Sequence, residues 1–325
     1  MAIHLNVLQH SLPVAREMLQ GESGMGFLLR SAVANGMSLH ALRDLAGISS
    51  VRTLWAADAR AFAGPLGMRI QDLESILVEK GRYEGESAYL WHGHVFVHTE
   101  QLRVGKPQVC VYCVHRTGYC RALWDCNLYS VCHIHKTPLT AVCVVCRKSL
   151  RWFRPAVDVC QCGVYLQPAN DEPVSDESAE YRVATWIAKH LDRGLNELDF
   201  SVEFPEWMVK LSLDGLCTLL QAFGVHSLAH QRVVNSSLAR AGGGFWQGVC
   251  TRALQRLADY RGVSKPTALS PFVWEGCLEG LALAPVVPAD RQVAILLLRD
   301  IFGVSTTAKM GSRRSGLCQM RLFED

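Results

Sequence analysis

Apolar side chains recur at helical spacing along two long parts of the chain. Near the amino end they follow the i, i+3, i+4, i+7, i+8 pattern of an amphipathic helix, at Met25, Leu28, Leu29, Ala32 and Val33. Asn35-Gly36 ends this helix, and Ser38 is a good N-cap for a second one that ends at Gly47. A third helix is predicted over about 51–62, and a fourth follows Gly64-Pro65 and ends at Gly81. Short helices joined by glycine turns predict a helix-turn-helix-like domain.

The last third of the chain has the same periodicity. Ser212 can cap one helix, and Pro288 can begin a last one that stops at Gly303. Further apolar helix faces are predicted at Val183, Trp186, Ile187 and His190, and at Trp246, Val249, Cys250, Ala253 and Leu257. We therefore expect a mainly α fold with an N-terminal helix-turn-helix-like domain, a small central zinc-stabilised module of tandem zinc fingers and a C-terminal helical domain.

Composition changes divide the chain into five consecutive predicted segments. These are an N-terminal helical domain over 1–100, a tandem zinc-finger module over 101–166, a linker over 167–178, a C-terminal helical domain over 179–304 and a basic tail over 305–325. The residues from 82 to 109 are rich in aromatic and β-branched types and are predicted to be extended. The linker is rich in Pro, Asp, Glu and Ser.

Cysteine spacing is the strongest chemical signal in the sequence. Nine of the 13 cysteines lie between Cys110 and Cys162, so metal is favoured over disulfides. Pairs in C-x2-C or similar spacing place two ligands near one zinc ion, and a second pair completes a tetrahedron. Two such sets are predicted, namely Cys110, Cys113, Cys132 and His135, and Cys143, Cys146, Cys160 and Cys162. With two zinc ions per chain and four protein ligands each, both sites are structural rather than catalytic.

Three alternatives remain open within this region. His133 could replace His135, although His135 repeats the spacing of the cysteine pairs. Cys120 and Cys126 could be packed thiols or alternative ligands. The pairs could also be cross-braced, as in a RING domain, although seven residues between His135 and Cys143 favour tandem sites.

Charge is unevenly distributed along the chain. The formal net charge is only +3, but residues 101–162 contain nine Lys or Arg and two Asp. Residues 163–200 contain eight acidic and three basic residues. The candidate contacts to a nucleic acid or another partner are Lys136, Arg147, Lys148, Arg151 and Arg154. The adjacent Trp152 and Phe153 either stack on bases or pack on the zinc loop.

Motifs of several function classes are missing. The sequence contains no phosphate loop, no H-x-E…P-C-x2-C deaminase signature and no H-E-x2-H metalloprotease motif. We therefore predict no catalytic residues and no enzyme. No signal peptide and no apolar stretch long enough for a membrane span are apparent, so a soluble, cytoplasmic bacterial protein without membrane contact is expected.

Several motifs resemble the TniQ/TnsD family of transposition target-selection proteins. The amino-terminal motif comprises Glu22-Ser23, Phe27-Leu28-Leu29-Arg30 and Ala34-Asn35-Gly36. The zinc region contributes Cys110-Val111-Tyr112-Cys113, Gly118-Tyr119, Trp124, Cys132-His133-Ile134-His135 and Pro138-Leu139, followed by the second ligand set and Gly163. The resemblance covers about residues 15–195. Val111 replaces a proline that is common in the family's first pair.

This resemblance implies a role in DNA transposition. Family members choose the insertion site and recruit the transposon's AAA+ ATPase regulator and transposase. Some read a fixed DNA sequence, whereas others dock, often as homodimers, on an RNA-guided Cascade-type CRISPR protein–RNA complex. The mild charge and the length of 325 residues favour the docking adaptor. The alternatives are an autonomous sequence-specific DNA-binding target-site selector and a RING-like ligase.

Overall fold

A computed structural model describes residues 11–49, 53–168, 172–191, 206–232, 238, 242–262 and 265–303. The basic tail predicted over 305–325 lies outside these residues, as do Cys318 and three residues of the predicted linker. The chain forms two compact units, the first from residues 1–79, 104–125 and 140–169, the second from 80–103, 126–139 and 170–325. The chain segments of the two units alternate along the sequence, whereas the five predicted segments are consecutive.

Short helices form the first unit. They are α1 Gly24–Ala34, α2 Leu39–Leu45, α3 Ala59–Leu66, α4 Ile70–Ile76 and α5 Val111–Thr117. The Ser38 side chain accepts a hydrogen bond from the backbone N–H of Ala41, as the predicted N-cap requires. The core contains Phe27, Leu28, Leu42 and Phe62, each with 0% exposure. The apolar pattern of the sequence therefore identified most of the buried positions of α1 and α2, but Val33 and Leu45, at the ends of these helices, are exposed.

The third and fourth helices differ in their boundaries from the prediction, and the third begins at Ala59 rather than near residue 51. The third helix does not end before Gly64-Pro65 but runs through both residues to Leu66, and Gly67 then closes it with a φ of 64°. A proline in the last turn removes only one helical hydrogen bond, so it does not terminate the helix here. The fourth helix ends at Ile76 rather than at Gly81, because the chain turns into a strand at Glu79.

The part of the chain predicted to be extended contains a three-stranded sheet. Its strands are β1 Glu79–Tyr83, β2 Glu86–Trp91 and β3 His94–Phe96, in the order β1-β2-β3. β2 and β3 are antiparallel, with Tyr89 opposite Phe96. Trp91 and Phe96 are buried, so one face of this hairpin contributes to a core.

Helices form most of the second unit. They are α6 Ala179–Leu191, α7 Glu206–Val209, α8 Leu213–Gly224, α9 Gly243–Gly262, α10 Glu275–Leu283 and α11 Pro288–Phe302. α8 packs against α9 and α10, and α10 packs against α11. Ser212 caps α8 by accepting a hydrogen bond from the Gly215 backbone N–H, and Pro288 begins α11, both as predicted. α7 and α10 were not predicted.

A buried ion pair joins the sheet region of this unit to α8. The Nδ1 atom of His98 lies 3.2 Å from Oδ2 of Asp214, whose side chain has 0% exposure. Burial acts to lower the pKa of His98, but the hydrogen bond and the charge of Asp214 outweigh it and raise the pKa above its ordinary value. The shift favours the protonated imidazole, which is the form that pairs with the buried Asp214 carboxylate.

Candidate metal centres

The first group of possible metal ligands is almost entirely buried. Cys110 and Cys113 lie at the start of α5, and Cys132 and His135 lie in a tight turn in which the Lys136 N–H donates to the Cys132 carbonyl. The ligand atoms of these four residues all lie within 4.8 Å of one another. The Cys132 sulfur is 3.7 Å from Nδ1 of His135. This group could hold a metal ion.

The neighbouring histidine has a different environment. His133 is buried, and its Nδ1 atom lies 2.7 Å from the hydroxyl of Tyr129. The same hydroxyl accepts a hydrogen bond from the His133 backbone N–H. The structure therefore brings His135, and not His133, to the three cysteines.

The second group lies between two hairpin turns of the first unit. Cys143 and Cys146 belong to a turn closed by the hydrogen bond from the Cys143 N–H to the Lys148 carbonyl, and Cys160 and Cys162 belong to a turn ending near Gly163. The Cys143 and Cys162 sulfurs are 3.9 Å apart, and those of Cys146 and Cys160 are 3.7 Å apart. All four ligand atoms lie within 4.8 Å of one another. The grouping follows the tandem order, not the cross-braced one.

The donor types and spacings of both groups fit zinc. A tetrahedral ion with Zn–S bonds of about 2.3 Å places two sulfurs about 3.8 Å apart, which matches the distances above. Burial raises the pKa of Cys143, but hydrogen bonds from the backbone N–H groups of Cys146 and Val145, together with those from the Cys160 and Cys146 side chains, bring the pKa down to about 7. This backbone arrangement stabilises the thiolate form that a metal requires.

The other cysteines between 110 and 162 are buried thiols outside both groups. Cys120 packs against α1, where a Cβ atom added to Gly26 would lie 2.7 Å from its own Cβ. Cys126 lies with its sulfur 4.0 Å from that of Cys217. Burial raises the pKa of Cys120 to about 11, so this thiol stays protonated at neutral pH.

Two of the five predicted contact residues are engaged within the protein. Arg154 is only 3% exposed and donates hydrogen bonds to the carbonyls of Arg151, Ala156 and Val157. Lys136 forms an ion pair with Asp176. Arg154 therefore does not fit the predicted role of an exposed phosphate contact, because its guanidinium satisfies buried carbonyl groups instead.

The remaining three predicted contacts, Arg147, Lys148 and Arg151, are exposed. The aromatic residues beside them are not. Trp152 is buried and donates from Nε1 to the Val104 carbonyl. Phe153 stacks on His40 of α2, with ring centroids 4.4 Å apart. Of the two readings of these aromatic residues, the structure therefore favours packing over base stacking.

The amino-terminal motif has a structural role that the sequence did not reveal. Glu22 accepts two hydrogen bonds of 2.7 Å from the Arg30 guanidinium, and its side chain has 0% exposure. The Ser23 hydroxyl donates to Oδ2 of Asp125 at 2.8 Å, so it does not cap α1 with a side-chain hydrogen bond. The backbone of Glu22 also forms an antiparallel β-bridge with that of Arg121. Together these contacts join α1 to the chain that follows α5.

Residues 13–139 match the TniQ family model. The matched range includes α1 to α5, the sheet and all four residues of the first ligand group. This part of the chain is therefore a TniQ domain. A TniQ domain implies a role in transposition targeting, and the family is associated with the transposition machinery and with DNA.

The second ligand group begins after the TniQ match ends. No curated protein matches the chain significantly. None of the helices described above is both long and apolar enough to cross a membrane.

Proposed function

We propose that this protein, which carries a TniQ domain, is a non-enzymatic targeting adaptor in DNA transposition. It links a complex already bound at the target site to the transposon's AAA+ regulator and transposase. The observation that carries this proposal is the TniQ match over residues 13–139. Four protein ligands at each candidate metal centre leave no open coordination position for a substrate, which supports a structural rather than a catalytic metal.

Both centres are proposed to hold zinc, giving two ions per chain. The ligands are Cys110, Cys113, Cys132 and His135 in the first centre, and Cys143, Cys146, Cys160 and Cys162 in the second. Thiolate and imidazole donors at tetrahedral spacing suit zinc. The metal contributes folding free energy on the order of 10 kcal/mol for sites of this kind. Elemental analysis is expected to give two zinc per chain, and one or none would contradict this assignment.

The target-bound complex is proposed to be an RNA-guided Cascade-type CRISPR complex, on which the protein docks as a homodimer. Autonomous tight DNA binding usually rests on about 6–10 phosphate contacts. Here Lys136 and Arg154 are engaged internally, which leaves Arg147, Lys148 and Arg151 of the predicted set. The face of α2 that carries His40 and Arg43 contacts Phe153, so less of this helix is available to a DNA groove.

A reconstituted insertion assay tests the adaptor function. Transposase, AAA+ regulator, guide-loaded complex and a target plasmid are combined with and without the full chain, and the insertion sites are sequenced. We expect insertion at the guided site only when the chain is present. Guided insertion that continues without the chain would overturn the adaptor proposal.

A binding assay separates docking from autonomous DNA recognition. Fluorescence anisotropy of the full chain with labelled duplexes, at physiological salt, is expected to show only weak and sequence-independent binding. Nanomolar binding to one DNA sequence by the protein alone would favour the autonomous target-site selector instead.

A further inference from the structure

Apolar side chains are exposed around the second metal centre. Val142 is 45% exposed, Val145 is 54% exposed and Tyr165 is 66% exposed. Each lies within three residues of a ligand, and the four ligand atoms lie within 4.8 Å of one another. Exposed apolar groups gathered at one place mark interaction sites more often than single ones do.

The backbone that carries these side chains is tightly held. Val142 pairs with Ser149 across the first hairpin turn, and Val159 pairs with Tyr165 across the second. The Gln161 side chain donates a hydrogen bond of 2.9 Å to the Ser149 carbonyl and thereby joins the two turns. A preorganised surface of this kind loses little conformational entropy when a partner binds.

Cations accompany the apolar groups. From residue 141 to residue 166 the sequence has four Lys or Arg and one acidic residue, Asp158. Arg147 and Lys148 are exposed, and neither side chain has an internal hydrogen bond or ion pair within the part of the chain that the structure describes. The surface formed by Val142, Val145, Arg147, Lys148 and Tyr165, here called the hairpin surface, is therefore both apolar and positive. A partner surface complementary to it carries apolar and negatively charged side chains.

Backbone strain at Arg147 points to a role for its side chain. Arg147 has a φ of 58°, in the left-handed region that favours glycine. The equivalent residue of the first turn, Lys136, has a φ of 55°, but its side chain pairs with Asp176 and contacts the Tyr181 ring. Arg147 lacks such internal partners among the described residues, so no contact in this structure offsets its strain. Strained residues of this kind cluster at functional sites.

A protein partner fits the hairpin surface better than a nucleic acid does. Base stacking needs exposed aromatic rings, and near this centre only Tyr165 offers one among the described residues, because Trp152 is buried and Phe153 stacks on His40. Valine side chains gain nothing from phosphate groups, whereas they can bury against apolar residues of a protein. We propose that the hairpin surface binds a partner protein through a segment that carries both acidic and apolar side chains. This deepens the proposed adaptor function by naming the chemistry of one docking surface.

Peptide selection against the full, zinc-loaded chain tests this proposal. Short random peptides are displayed, the bound ones are sequenced, and their affinities for the wild-type chain and its variants are measured. We expect selected peptides to combine Asp or Glu with large apolar residues. Val145→Ser and Arg147→Glu are each expected to weaken binding by about tenfold.

Val209→Ser is the matched control, because Val209 is 59% exposed and lies on α7, far along the chain from either ligand group. It is expected to leave peptide affinity unchanged. Tyr165→Ser provides a second test at a residue that is not adjacent in sequence to any ligand. Zinc content of two per chain verifies that each variant retains both centres.

Two results would overturn the proposal. One is selection of peptides without acidic and apolar character, or peptide affinity that Val145→Ser and Tyr165→Ser leave unchanged. The other is tight binding of a short DNA or RNA probe that Arg147→Glu abolishes and Val145→Ser does not affect. Guided insertion is measured in a separate assay. A chain that binds the peptides but does not support guided insertion would contradict the adaptor function alone, and a chain that supports insertion without binding the peptides would contradict the hairpin surface alone.

Discussion

The two candidate metal centres use similar ligands in different environments. In the first, Cys110, Cys113 and Cys132 are buried and His135 is partly buried. In the second, Cys146 is partly buried and Cys162 is exposed. The first lies within the TniQ match and the second beyond it. Ligand spacing thus identifies the residues that could hold a metal ion, whereas the surrounding chain determines how far each group is buried.

The largest expected effect is loss of the first centre. Cys132→Ala removes a ligand with 0% exposure. The folding free energy that metal binding contributes, on the order of 10 kcal/mol, is then lost in the core. We expect little soluble protein. Cys126→Ala is the control, because Cys126 is equally buried but belongs to neither group. Equal yields of soluble protein from both variants would contradict the ligand assignment.

Loss of the second centre is expected to be more local. Cys143→Ala should release one zinc and unfold the two hairpin turns, while the rest of the chain stays folded because this centre lies nearer the surface. Native mass spectrometry and limited proteolysis between residues 140 and 168 measure this. Cys120→Ala should keep both ions. Global unfolding of Cys143→Ala would contradict the expectation that the fold depends less on the second centre than on the first.

A third test concerns the contact between α1 and the chain after α5. In Gly26→Ala the new Cβ would lie 2.7 Å from the Cβ of Cys120, which requires movement in a packed core. The expected cost is about 1–3 kcal/mol in the free energy of unfolding, measured by urea denaturation. Gly81→Ala is the control, because nothing lies within 4 Å of its added Cβ. A Gly26→Ala variant with an unchanged free energy of unfolding would show that this contact is loosely packed.

The smallest expected effect compares the residues that follow the two C-x2-[CH] turns. Arg147→Gly relieves a φ of 58° and should raise the free energy of unfolding by about 1 kcal/mol at most. Lys136→Gly relieves a similar φ but also loses the contacts to Asp176 and Tyr181, so a smaller gain or none is expected. Thermal denaturation of both variants checks the order. A larger gain for Lys136→Gly would contradict it.

Local signals in the sequence were sufficient for part of this picture. Helix periodicity and capping predicted α2, α8 and α11 because these depend on neighbouring residues. The ligand groups were predicted for the same reason, since each pair lies in one turn. The sheet, α5, α7 and α10 were missed as elements, because their residues have no strong periodic pattern of their own.

Residues that act over long distances in the chain could not be predicted in the same way. Gly24 and Gly26 are unfavourable choices for a helix, and only the packing of α1 explains them, since Cβ atoms there would meet the Ile76 carbonyl and Cys120. The Glu22–Arg30 and Ser23–Asp125 contacts likewise became visible only in the structure.

The sequence by itself determined which residues could hold metal, because ligand spacing within a turn is a local property of the chain. It also determined the family resemblance, which the TniQ match confirms. Only the tertiary structure decided which cations face outward. Arg147 and Arg154 lie in similar basic stretches of the sequence. In the structure Arg147 is exposed, whereas Arg154 is buried against backbone carbonyls. Burial depends on contacts between distant segments, and no local pattern encodes those contacts.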